Sequence, residues 1–229
     1  MKVALVVFDI AGTTVTDDNS VNDAFRGAFG KSGYPVALTE VNYIMGYRKI
    51  EAIKILLQKF YPGQVDNEEL IQHIHDVFLK DMQAYYRHTP NLAALPYAEE
   101  VFRQLHTKNI KIGLDTGFTK SITDIIIERL GWGTNSMVDQ VISSDEVPEG
   151  RPSPYMIQRI MEAVKITDPK QVVKVGDTEV DIAEGRNAGC GLVVSVTTGS
   201  YTREELQKYA PDHIIESLNE LAPLLHLDS

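Results

Sequence analysis

The chain has 229 residues, of which 43% are hydrophobic and 24% charged, so it can bury a full core plus a smaller second unit and is not a disordered segment. Its formal net charge of −10, with the 22 Lys and Arg scattered and never in a block, excludes a nucleic-acid footprint and points to small molecules as partners. A single cysteine, Cys190, excludes an intramolecular disulfide and leaves the six histidines without zinc-like Cys spacing.

The first apolar run, Val3 to Phe8, reads as a strand buried on both faces. It is too short to span a membrane and has neither the basic lead nor the cleavage site of a secretion signal, so a cytoplasmic protein is expected. From about Val15 to Pro90 the pattern is helical, with no convincing strand. Val21, Phe25, Ala28 and Phe29 form one apolar face; Ile50, Ile53, Leu57 and Phe60 a second; Ile71, Ile74, Phe78, Met82 and Tyr85 a third. Pro62 and Gly63 end the second helix, and Asp66 or Asn67 caps the third. Beyond Pro96 strand and helix alternate. Apolar runs at Ile110 to Leu114, Val138 to Ile142, Val172 to Val175 and Leu192 to Val196 are separated by helical periods at Tyr97 to His106, Lys120 to Leu130, Pro154 to Val164 and Val180 to Ala188. That alternation predicts an α/β fold with a doubly wound parallel sheet and a helical cap inserted after the first strand. The expected division is 1–15 with 91–229 as the core and 16–90 as the cap, with crossings near Thr16 to Asn19 and His88 to Pro96.

In open α/β sheets the ligand crevice lies beyond the carboxyl ends of the strands. Asp9, Thr116, the loop holding Arg151, and Asp177 with Asp181 all fall at such ends. Each has an ordinary reading alone, as a helix cap, a turn residue or a surface cation. Their convergence marks a site.

These residues stand in four ordered stretches: DIAGTT from Asp9, LDTG from Leu114, GRPSP from Gly150 and VGDTEVDIAEGRNAG from Val175. Together they resemble the motifs of the haloacid dehalogenase superfamily over nearly the whole chain. The resemblance implies a Rossmann-like core and a hydrolase in which Asp9 attacks phosphorus, passing through an aspartyl phosphate. It also implies Mg²⁺ held by Asp9, Asp177 and the main-chain carbonyl of Ala11. Thr116 and Gly117 would donate to phosphoryl oxygens, and the loop residues Gly12 and Thr13 would bind substrate. Arg151 would add charge at the transferring group, and Asp181 would support Arg151 or orient a metal water.

Position 11 discriminates within the superfamily. Phosphomonoesterases usually carry Asp two residues after the nucleophile, where it protonates the leaving alkoxide; here the residue is Ala11. DxAGTT, Arg151 and the KVGDTxxDxxEGRNAG run from Lys174 resemble the phosphonatase subfamily, which cleaves a carbon–phosphorus bond. The leaving carbanion there needs an electron sink, and an amine condensed with a substrate aldehyde supplies one. MGYRKIEAIK, residues 45 to 54, resembles the segment bearing that amine, and on that resemblance Lys49 would be the Schiff-base lysine; the other reading is a cation that only binds a substrate's distal anion. Two positions depart from the subfamily: Ala52 stands where it has a histidine, and Asp115 where it usually has a neutral residue. Met45, Gly46 and Tyr47 in the cap loop, with Phe118, are expected to shape the substrate pocket.

The expected partner is a small phosphonate or phosphorylated substrate; nucleic acid and membrane are not expected, and a homodimer is allowed. The alternatives are a phosphomonoesterase of the phosphoglycolate phosphatase type and a non-catalytic protein that binds a phosphorylated metabolite. Cys190 reads as a small buried residue. His73 and His75, two apart on a helix, face different ways and read as surface residues, and Tyr85 and Tyr86 read as packing residues.

Overall fold

The computed structural model describes residues 2–133 and 137–226. Six parallel strands form one sheet: β1 Leu5–Asp9, β2 Lys111–Thr116, β3 Gln140–Ser143, β4 Val172–Gly176, β5 Leu192–Val196 and β6 His213–Ile215. Their order, β3-β2-β1-β4-β5-β6, reverses beside β1, so the crevice expected of a doubly wound sheet opens between the carboxyl ends of β1 and β4. Alternation along the strands gives two apolar layers. Leu5, Val7, Val172 and Val193 pack with Met156, Ile157 and Ile160 of α7 (Tyr155–Ala163) and Ile182 of α8 (Glu179–Asn187). Val6, Phe8, Ile112, Leu114 and Val175 face Phe102 and Leu105 of α5 (Ala98–Thr107) and Ile122 and Ile126 of α6 (Lys120–Leu130).

Between β1 and α5 the chain forms α1 (Ser20–Lys31), α2 (Leu38–Asn42), α3 (Lys49–Phe60) and α4 (Glu68–His88). Among the described residues none of this segment joins the sheet. Its inner faces continue the apolar layer of Phe8 and Leu114. The two crossings are stitched together: Leu95 N–H donates to the Thr14 carbonyl at 2.8 Å and Thr16 N–H to the Ala93 carbonyl at 3.0 Å.

Several details differ from the sequence pattern. β1 starts at Leu5, not Val3, and β2 and β3 run on to Thr116 and Ser143. β6 was not foreseen, since three residues ending a crossover carry too little periodicity. On α3 the buried face is Ala52, Ile53, Leu56 and Leu57, whereas Ile50 is half-buried and Phe60 exposed, a rotation of about one residue. Asn67 caps α4, accepting from Leu70 N–H at 3.1 Å. His75, expected at the surface, is buried, because it lies one turn on from Ile71 in the inward stripe of α4. Tyr86 is buried against Phe118, with ring centroids 5.8 Å apart. Among the described residues no helix is long and apolar enough to cross a membrane.

Candidate active site

β1 ends in Asp9, paired in register with Asp115 of β2, and β4 carries Lys174 opposite Val7. Alternation puts Lys174, Asp9 and Asp115 on the same face of the sheet as Val7. Below them, α8 begins in a capping box: Thr178 N–H and hydroxyl both donate to Asp181 Oδ2. That leaves Asp181 Oδ1 to pair with Arg151 at 3.1 Å and Lys174 at 3.2 Å. One turn further, Glu184 Oε2 meets Arg151 Nε and Lys174 Nζ, each at 3.0 Å. Both cations also pair with Asp115, and Arg151 NH1 donates to Asp9 Oδ1 at 2.7 Å.

The result is a buried lattice of two cations and four carboxylates with Asp9 at its edge. Sequence reasoning put the Arg151 charge at the transferring group; here its guanidinium is wholly buried behind Asp9 and fixes that carboxylate's rotamer. Lys174 and Glu184 stand in the run that begins at Lys174 but were given no role. The signal was present, since a lysine inside the buried strand VVKVG requires a buried counter-charge. Burial pushes Glu184 up to about 8, with Asp115 adding repulsion, whereas Arg151 and Lys174 hold Asp115 below the ordinary aspartate range against its own burial.

In front of Asp9 is a cavity of ≈ 30 Å³, room for about two waters. Its walls join the carboxyl ends of three strands, through Asp9, Ala11, Thr116, Gly117 and Asp177, to the cap residues Met45, Gly46 and Lys49 and to Phe118. Lys49, at the first turn of α3, is 3% exposed, with Nζ 5.6 Å from the Phe118 ring centroid and 3.4 Å from the Tyr47 carbonyl, to which it donates. Burial draws its ammonium down from 10.5 to about 8, with Asp9 opposing and Arg151 reinforcing the change. Arg48 turns the other way and donates to the Pro148 carbonyl at 3.1 Å.

Other residues stand apart from the cavity wall. Thr13 is buried and donates to Asp177 Oδ1 at 3.1 Å, while Ser200 N–H donates to Asp177 Oδ2 at 2.7 Å. Gly12, at φ 87°, is packed so closely on Gly199 that a Cβ would come within 2.9 Å of it. The Tyr47 hydroxyl donates to Glu179 at 3.2 Å, across the seam between cap and core.

Asp177 is buried with only neutral donors, and burial together with the facing Asp9 pushes its carboxyl well above the ordinary range. Asp9 and the facing Asp177, beside the Ala11 backbone, make an all-oxygen donor set suited to a hard divalent ion. Carboxylate oxygens of Asp9, Asp115 and Asp181 also lie within 4.8 Å of one another, but Arg151 and Lys174 already bridge that group.

The cap loop touches the core through glycine. A Cβ at Gly117 would lie 2.5 Å from the Tyr47 carbonyl oxygen and 2.7 Å from that of Gly46. Gly117→Ala is therefore expected to unseat the loop, lowering kcat/KM by about tenfold or more for an overpacking cost of about 1–3 kcal/mol. Steady-state kinetics beside a thermal melt check this; unchanged kcat/KM would mean that the loop's seating is immaterial.

A family model described as haloacid dehalogenase-like hydrolase matches residues 3–189. A phosphonoacetaldehyde hydrolase from Bacillus mycoides is 30% identical over 232 residues, covering 95% of this chain and 86% of that protein. Among solved structures, a hydrolase from Pseudomonas syringae superposes with a TM-score of 0.86 at 20% identity, covering 98% of each chain. A phosphonoacetaldehyde hydrolase-like protein from Oleispira antarctica does so with a TM-score of 0.84 at 23% identity, covering 99% of this chain and 92% of the other. Sheet order, site and relatives agree: the chain belongs to the haloacid dehalogenase-like hydrolases, on their phosphonatase-like branch.

Proposed function

We propose that this enzyme cleaves the carbon–phosphorus bond of phosphonoacetaldehyde or a closely related small aldehyde phosphonate. The observation that carries the reading is Lys49, a desolvated amine in the same cavity as Asp9. An amine lowered to about 8 is a competent nucleophile toward an aldehyde near neutral pH, which an ordinary surface lysine is not.

In this mechanism Lys49 condenses with the aldehyde, and the iminium draws electrons from the adjacent carbon. Asp9 attacks phosphorus in line as the carbon–phosphorus pair moves into the iminium, giving an enamine on Lys49 and a phosphoryl group on Asp9. The acid that Ala11 lacks is not needed in this step, because the leaving group is not an alkoxide. Arg151 holds the Asp9 carboxylate, and Thr116 with the Gly117 N–H faces the phosphoryl oxygens. Asp9, Asp177 and the Ala11 carbonyl would hold Mg²⁺, which when bound supplies the charge that lets a carboxylate approach a phosphonate dianion. The division into a core of residues 1–15 and 91–229 and a cap of 16–90 belongs to the same proposal. The cap has to withdraw to admit a substrate larger than the cavity.

The experiment compares phosphonoacetaldehyde with phosphoglycolate, glycerol phosphate and acetyl phosphate, with and without Mg²⁺, followed by borohydride trapping. The expected results are selective turnover of phosphonoacetaldehyde, a reduced adduct on Lys49, and no adduct or turnover in Lys49→Arg, whose guanidinium cannot condense with a carbonyl. The trapping rate is expected to rise as pH approaches about 8 and to level off above it, because only the neutral amine reacts and its folded pKa lies below 10.5. An active Lys49→Arg with good turnover of an ordinary phosphate ester would establish the phosphatase reading instead.

A further inference from the structure

Asp17 lies in the crossing between β1 and α1 and lines the same cavity as Lys49 and Asp9. Its Oδ1 accepts from the Ser20 hydroxyl at 3.1 Å and from Val21 N–H at 3.5 Å, which anchors it at the start of α1. Among the described residues both of its hydrogen bonds fall on that oxygen, leaving Oδ2 without a protein partner. Asp18 beside it on the same segment and Lys49 from α3 are the charged groups acting on it.

The titratable side chains of the cavity wall are Asp9, Asp17, Lys49 and Asp177. Asp9 is fixed by Arg151 and supplies the nucleophile. Asp177 is held through both oxygens by Thr13 and Ser200. Lys49 supplies the amine. One carboxyl remains without a task, and one chemical task remains without a group. A carbinolamine loses its hydroxyl only slowly unless an acid protonates it, and neither Ala11 nor Ala52 can do so.

We propose that Asp17 is the acid–base residue of imine formation, giving its proton to the carbinolamine hydroxyl on Lys49 and recovering it from the water that later hydrolyses the iminium. This rests on the Schiff-base reading of Lys49. In the forward direction the Lys49 Nζ lone pair bonds to the aldehyde carbon, and a proton shed by nitrogen settles on the former carbonyl oxygen. The Asp17 carboxylic acid protonates that hydroxyl, the C–O bond breaks, and water departs, leaving an iminium beside the Asp17 carboxylate. On the product side the enamine carbon takes up a proton from solvent and so becomes an iminium again; water then adds to the iminium carbon and the proton it sheds passes to Asp17. Burial pushes the Asp17 carboxyl up from the ordinary aspartate range, against the pull of Val21, Ser20 and Lys49, which favours the acid form the first transfer requires.

Acetaldehyde is the probe, since it forms the imine without any phosphorus chemistry. The full chain is incubated with acetaldehyde and cyanoborohydride, and the rate of mass labelling on Lys49 is followed as a function of pH. Asp17→Asn and Asp17→Ala are expected to label about 10²-fold more slowly than the wild type, the scale of general acid catalysis. Asp17→Glu should retain most of the rate, and added formate should restore labelling in Asp17→Ala. Circular dichroism reports whether each variant is folded. Should Asp17→Asn not fold, formate rescue of Asp17→Ala gives the reading, since a purely structural role would not respond to a small acid. Wild-type labelling of Lys49 that persists undiminished in Asp17→Asn, with the same pH profile, overturns the Asp17 role alone. A wild type that forms no Lys49 adduct overturns the Schiff-base reading and Asp17 with it.

Discussion

Asp9→Asn is expected to lose turnover by about four orders of magnitude or more, the scale on which a hydrolase responds to removal of its nucleophile. In the proposed mechanism the amide nitrogen and oxygen are too weakly nucleophilic to attack phosphorus, and the carboxylates packed around Asp9 are engaged. Asp115, Asp181 and Glu184 are locked to Arg151 and Lys174, and Asp177 is tied to Thr13 and Ser200. The fold should survive, because the amide oxygen still accepts from Arg151, and the variant removes one of two facing acids in the Asp9–Asp177 pair. Burial raises the Asp9 carboxyl to about 6, with Asp181 adding to the rise and Arg151 restraining it. Rapid quench with hydroxylamine trapping should detect an acyl phosphate in the wild type and none in the variant. Residual turnover within tenfold of wild type would remove Asp9 from the nucleophile's role.

Arg151→Leu is expected to be the most destabilising single change at the site. Arg151 touches Asp9 and Asp181 through one nitrogen of its planar fork and Asp115 and Glu184 through the other two, and its side chain is fully buried. Removing one partner of a buried ion pair costs about 3–5 kcal/mol, because the remaining charges stay out of water without compensation. For a chain of this length that corresponds to a fall in Tm of roughly 6–20 °C. Arg151→Lys should recover only part of the loss, since a compact ammonium cannot reach four carboxylates at once. Differential scanning calorimetry decides the matter. A Leu variant melting within a degree of wild type would show that Lys174 alone neutralises the cluster.

Much of the architecture was legible because a parallel sheet covered on both faces forces continuous Val and Ile runs, as in Val172 to Val175 and Leu192 to Val196. Helix faces were less exact. On α3 the apolar residues Ile50, Ile55 and Phe60 extend beyond the stripe that packs, so hydropathy alone could not fix the rotation. At the site, Asp9, Lys49, Thr116, Gly117, Phe118 and Asp177 were singled out from motif position, and the fold brings them to one cavity. Asp17, Lys174 and Glu184 were given no role because their chemistry depends on burial and, for Lys174 and Glu184, on partners distant in sequence. Glu184 is separated from Arg151 by 33 positions and Lys174 from Asp115 by 59, spacings that no local pattern reports.

Phe118 follows the Gly117 on which the cap loop rests, and its ring lies between the Lys49 ammonium of α3 and the Tyr86 ring of α4. Any protein that keeps a nucleophilic amine on hand runs the risk of condensing with whatever aldehyde drifts past. On the Schiff-base reading proposed for Lys49 that reactivity is conditional. Lys49 is acidic because the cap and Phe118 exclude water from Nζ, and if the cap lifts, rehydration returns the amine toward 10.5, protonated and inert to carbonyls. The lysine thus discriminates between a guest that has been enclosed and one that has merely collided, a selectivity that comes from timing and not from the shape of the substrate.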